Sequence, residues 1–93
     1  MIHVLAYDLK QPNDTPEDYQ RVIAAIKSEF SSWCHVEQSV WVIDTWMDAG
    51  QARDHMKQFL NPRDVCFVAR LQGNWGSWNF GDERNRWLKA QKF

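Results

Sequence analysis

Asp8 is the one carboxylate in an otherwise apolar opening run, Ile2-His3-Val4-Leu5-Ala6-Tyr7-Asp8-Leu9. A strand of that composition ends by delivering a negative charge to the rim of the core, where ionisation is costly unless a cation, a donor or solvent compensates. Two chemistries fit the placement. The carboxylate can hold Mg2+ or Mn2+ for phosphodiester cleavage, in which a hard cation neutralises developing charge while a water attacks in line. Alternatively it opens a turn, accepting hydrogen bonds from the amides of the loop Leu9-Lys10-Gln11-Pro12-Asn13-Asp14. One carboxylate per chain is a sparse ligand set, so waters or substrate oxygens would have to complete the shell of a catalytic metal at Asp8. Asp44 ends a later strand and reads more simply as a turn or cap residue.

The other reactive side chains have weaker patterns. His3, His35 and His55 lack metal-ligand spacing and read as hydrogen-bonded structural histidines. An odd separation from Asp8 turns His3 to the opposite face of the same strand, leaving it a weak general base. Cys34 and Cys66 are isolated among apolar and aromatic neighbours, as buried reduced thiols are.

The segment Gly73-Asn74-Trp75-Gly76-Ser77-Trp78-Asn79-Phe80-Gly81 combines a permissive backbone with ring faces. After it, residues 84–93 hold Arg84, Arg86, Lys89 and Lys92 and no acid, whereas residues 1–83 hold twelve acids against seven Lys or Arg. Trp75, Trp78, Phe80, Arg84, Arg86 and Trp87 are therefore candidate contacts, either to a base or nucleotide or to a second subunit whose interface the rings would fill. No Gly-x-x-x-x-Gly-Lys phosphate loop occurs. Trp33, Trp41 and Trp46 read as sheet-face and hairpin packing.

The elements that must position these groups follow from periodicity. Thr15-Pro16-Glu17-Asp18 supplies an N-cap, a proline at the first helical position and acids in the first turn. Tyr19, Val22, Ile23, Ile26 and Phe30 then form one apolar stripe, and Ser31-Ser32 ends the helix. From Trp33 the period becomes two, with a bend near Gln38-Ser39, which predicts a hairpin. Asp48 or Thr45 caps a second helix with Ala52, His55, Met56, Phe59 and Leu60 inward, stopped by Asn61-Pro62. Val65 to Leu71 is a further strand, apolar enough to be expected at the sheet centre. Strand, helix, strand, strand, helix, strand is the split βαβ order. It predicts an α+β, ferredoxin-like βαββαβ sandwich over residues 1–72, with both helices on one face of an antiparallel sheet. Residues 73–93 form a C-terminal extension. The helix-free face is expected to be covered by a second copy, giving a homodimer.

Ninety-three residues suit one small core. No run approaches the ~20 apolar residues of a membrane span, and no secretory signal is evident, so a cytoplasmic protein without membrane contact is expected.

The order of elements and three short motifs resemble the small CRISPR-associated Cas-two family, in particular its compact SinR-like phage and plasmid relatives. The motifs are Tyr7-Asp8 at the end of the first strand, Gln38-Ser39-Val40-Trp41 in the hairpin, and Gly73-Asn74-Trp75 near the end of residues 1–78. The Leu9-Lys10-Gln11-Pro12 loop departs from the family's short polar and basic stretch. The resemblance implies a homodimer in which Tyr7 belongs to the ligand or interface region and paired Asp8 residues meet near the two-fold axis. In members credited with nuclease activity that position binds a divalent metal, while other members are non-catalytic DNA scaffolds. Two functions therefore compete. One is a binding module for nucleic acid, a nucleotide or a protein in CRISPR, mobile-element or phage biology, without a cofactor. The other is an Mg2+- or Mn2+-dependent endonuclease or phosphodiesterase with Asp8 as the catalytic ligand. The acidic balance of the folded part favours the first, since gripping a duplex takes several bases near phosphates.

Overall fold

A computed structural model describes residues 1–93. The elements are β1 (Ile2–Asp8), α1 (Pro16–Glu29), β2 (Ser32–Glu37), β3 (Val40–Asp44), α2 (Ala49–Lys57), β4 (Val65–Arg70) and α3 (Asp82–Lys89). The four strands form one antiparallel sheet in the order β2-β3-β1-β4. A four-stranded antiparallel sheet with two intervening helices is compatible with a ferredoxin-like fold.

Local chemistry explains where the helices begin. Thr15 and Asp18 form a reciprocal capping box, with the Asp18 amide donating to Thr15 Oγ1 at 3.2 Å and the Thr15 amide to Asp18 Oδ2 at 3.1 Å. Asp48 and Gln51 repeat the device at α2, at 2.8 and 2.9 Å. α2 stops at Lys57, short of the expected Asn61-Pro62, and the intervening residues continue as turns held by bonds from Phe59 to Met56 and from Leu60 to Lys57.

Alternation along β1 divides the molecule. Leu5 and Tyr7 point to the side of α1 and α2, where they are buried with Leu9, Val22, Ile26, Phe30, Trp41, Ile43 and Met56. Ile2 and Val4 point the other way. On that second face Ile2, Cys34 and Val42 form a separate buried cluster with Leu88 of α3, flanked by Trp75, Phe80 and Trp87. The expectation of a helix-free second face is thus corrected: the chain's own extension folds back over it. Gly73 makes the reversal possible, because its φ of 91° disfavours a side chain and a Cβ there would stand 3.2 Å from that of Phe93.

A second correction concerns β4, which lies at the sheet edge rather than its centre. Cys66 and Val68 pack towards the helices, but Val65 and Phe67 face a part of the second face that the extension does not reach, and are 52% and 62% exposed. An unbroken apolar run reads as a central strand only when both faces are covered. Trp46 also departs from expectation: it stands in solvent in the β3–α2 connection instead of packing on the sheet. No helix is long and apolar enough to cross a membrane.

Candidate functional site

The motif residues Tyr7, Gln38 and Trp41 meet in one hydrogen-bonded unit on the helix side. The Trp41 indole donates to the Tyr7 hydroxyl at 3.1 Å, and that hydroxyl donates to the Gln38 carbonyl at 3.0 Å. The Tyr7 amide donates to the Ser39 carbonyl at 3.1 Å, and the His35 ring stacks on Trp41 with centroids 3.8 Å apart. Burial pushes the Tyr7 phenol above its ordinary value, with the Trp41 hydrogen bond acting in the opposite direction. Tyr7 is thus spent on holding the hairpin turn, and its ring is nearly inaccessible.

Asp8 takes the opposite parity and stands in solvent at the uncovered corner of the second face, beside Val65 in register. Its carboxylate is paired with the ammonium of Lys10, whose pKa that hydrogen bond and charge hold above the ordinary lysine value. The nearby loop contributes Asp64, which accepts from the Lys10 and Asn61 amides, both at 2.8 Å. Asp64 thereby staples the loop after β1 to the loop before β4. No group of three His, Cys, Asp or Glu side chains is placed to hold a metal ion. Asp8 alone offers a hard cation few oxygens, so Mg2+ or Mn2+ at this corner would draw the rest of its shell from waters, substrate oxygens or a carboxylate of another molecule.

His3 is buried on the helix side, with Nε2 2.8 Å from the Met47 carbonyl, which acts as acceptor, and with Nδ1 lacking a partner. It ties β1 to the approach to α2 and does not face Asp8. His55 bonds Glu29 at 2.9 Å, and Cys34 and Cys66 are free thiols whose pKa burial pushes up.

The aromatic residues gather around a groove of about 410 Å3 between the extension and the second face. Val4, Val36, Val40 and Val42 line it from the sheet, and Trp75, Trp78 and Phe80 from the extension; Glu37 and Arg84 are its charged residues. Arg84 is held over the Phe80 ring at 5.5 Å and donates to the Val36 carbonyl at 3.4 Å. Trp78 is 87% exposed, so its indole stands almost wholly in solvent beside the groove. Trp87 is half-buried, its indole donating to Ser32 Oγ at 3.2 Å, and Arg86 projects into solvent from α3.

The structure therefore brings Trp75, Trp78, Phe80 and Arg84 together, sets Trp87 and Arg86 on the adjoining helix, and leaves Asp8 at the uncovered corner of the same face and Tyr7 on the other face. Sequence reasoning did not find the valine lining of the groove, Asp64, or the exposed pair Val65 and Phe67. Asp64 did carry a signal: an acid two residues after Pro62 suits a turn-capping role. No known family profile matches the chain, and no curated protein is significantly similar to it.

Proposed function

We propose that the protein is a homodimeric binding module of the Cas-two-like, ferredoxin-like kind, acting in CRISPR, mobile-element or phage biology, and that its groove receives a base of a nucleic acid or nucleotide. The observation that carries this reading is the groove itself: an apolar sheet lining opposite Trp75, Trp78 and Phe80, with the Arg84 guanidinium among them. A planar base finds ring faces on which to stack, and Arg84 supplies a cation for phosphate. The exposed Val65 and Phe67, on the uncovered remainder of the same face, give a second copy its contact.

Titrating a short single-stranded oligonucleotide, with a nucleoside monophosphate alongside, against tryptophan emission tests the reading. Quenching is expected, and Trp78→Ala should weaken binding about tenfold or more, since stacking on one ring is worth about 1 to 3 kcal/mol. Arg84→Ala should weaken binding and flatten its salt dependence. Equal titrations for parent and Trp78→Ala would remove the groove from the account.

The nuclease reading keeps one supporting observation. Asp8 stands at the corner that a second copy would cover, so two-fold pairing there brings two carboxylates near each other. Mg2+- or Mn2+-dependent cleavage lost in Asp8→Asn would establish it. Absence of cleavage in the parent, with oligonucleotide binding intact, leaves the binding module.

A further inference from the structure

The outer edge of β4 has no partner strand. β4 pairs only with β1, and the Leu71 amide donates to the Ile2 carbonyl at 2.9 Å. That bond fixes which groups face inward: by antiparallel alternation the backbone groups of Val65, Phe67 and Ala69 point to β1, and those of Cys66, Val68 and Arg70 point away from the sheet. Three outward N–H groups and three outward carbonyls thus form a template spanning about 17 Å, at ~3.4 Å per residue. The opposite edge differs. Beside β2 lies α3, with Arg84 donating to the Val36 carbonyl at 3.4 Å.

The two sides of the β4 edge have different chemistry. Towards the helices, Arg53 and Lys57 of α2 line a groove of about 430 Å3 with Cys66, Leu60 and Asp64. Arg70 ends the strand with the same parity as Cys66. Arg53 is paired with Asp54 at 2.9 Å and Asp64 is occupied by backbone amides, whereas Lys57 and Arg70 have no acidic partner. Towards the second face, Val65 and Phe67 present an apolar surface.

We propose that this edge receives an extended segment of a partner protein as a fifth strand, one in which acidic side chains alternate with apolar ones. Successive side chains of an added strand point to opposite faces, so acids every second residue would meet Lys57, Arg70 and Arg53 while the apolar residues continue the Val65–Phe67 surface. Backbone bonds supply attachment, and the unlike faces supply register and choice of partner. A second copy fits this edge poorly. Antiparallel pairing of β4 with β4 about Val68 brings Arg70 of each copy to the other's Cys66 end, where Arg53 and Lys57 stand, and like charges brought together are unfavourable.

The test uses the full chain and two fluorescein-labelled octapeptides, (Glu-Val)4 and (Lys-Val)4, read by anisotropy at low salt. The Glu peptide is expected to bind and the Lys peptide to bind at least tenfold more weakly. Lys57→Glu combined with Arg70→Glu should invert that order. Val68→Pro removes an outward N–H that β1 does not use, and should lower affinity for the Glu peptide at least tenfold. Circular dichroism checks the fold of that variant, and if it is unfolded the charge-reversed protein carries the test alone. Equal binding of both peptides, no binding of either, or full binding by a folded Val68→Pro protein overturns the proposal. So does a loss of self-association in the charge-reversed protein, which would assign the edge to a second copy. Oligonucleotide binding at the aromatic groove should be unchanged in these variants, which separates this proposal from the base-binding reading.

Discussion

The two faces of the sheet begin from the same strands and are finished by different means. On the helix side, Leu5, Tyr7, Trp41 and Ile43 are closed under two capped helices, and the polar atoms of Tyr7 and Trp41 find partners within the core. On the second face, a 21-residue extension with one short helix buries Ile2, Cys34, Val42 and Leu88, and leaves Val65 and Phe67 open. The helix side is a core that supports stability. The second face joins a smaller core to accessible apolar surface, and every contact residue suggested by the sequence except Tyr7 lies on or beside it. What separates them is coverage rather than hydrophobicity: β4 is apolar on both sides but covered on only one.

The largest effect that would test this division is expected from Trp41→Ala. The side chain is fully buried and its loss orphans the hydrogen bond to Tyr7, so denaturant titration should register about 3 to 5 kcal/mol of destabilisation. Deleting residues 73–93 should cost less, about 2 kcal/mol. It removes one buried leucine and three partly buried rings, but the chain no longer loses the entropy of ordering that segment. A deletion that destabilises more than Trp41→Ala would reverse the ranking of the two faces.

Thiol chemistry sharpens the same contrast. Cys34 lies in the cluster closed by the extension, while Cys66 packs against the helix-side core. Deleting the extension should accelerate alkylation of Cys34 by at least tenfold and leave Cys66 at its parent rate, as read by mass spectrometry. Burial raises the pKa of both thiols and of Tyr7. The folded state therefore holds these protons more tightly than the unfolded chain. Their contribution to stability is fully present below about pH 8.5 and is lost as the pH rises through the raised values. A denaturation midpoint that increases above that pH would contradict the sign.

The smallest effect is expected at Asp8. It is solvent-exposed and paired only with Lys10, so Asp8→Asn should change stability by less than about 0.5 kcal/mol. A loss several times larger would mean that the carboxylate organises the corner in a way that Lys10 and Asp64 do not account for.

Much of the helix side was legible in the sequence, because its signals are local. Thr15 and Asp48 announce helix starts through capping chemistry, the α1 stripe repeats at the helical period, and Gln38-Ser39 marks the break in a period-two run. Strand order was legible in part. Val65 to Leu71 carries no alternation, so nothing local distinguishes an edge strand open on one side from a central one. The path of residues 73–93 was not legible, since glycines and tryptophans suit a cis cover, a trans contact or a ligand surface equally well. At the candidate site, the aromatic and basic residues were visible as a cluster in sequence. Their sheet-side counterparts, Val4, Val36, Val40 and Val42, came from three separate strands and had no shared signal. Asp8 was legible as unusual, but its exposure depended on how far the extension reaches.

The proposed homodimer takes the uncovered remainder of the second face as the contact for another copy of the chain. Sedimentation equilibrium of the parent and of Phe67→Ser at micromolar concentration tests it most directly. The parent is expected at twice the 11.1 kDa chain mass and Phe67→Ser at the monomer mass, with the variant's melting unchanged when measured at dilutions where the parent is also monomeric. A parent that remains monomeric, or a Phe67→Ser protein as dimeric as the parent, would contradict the account.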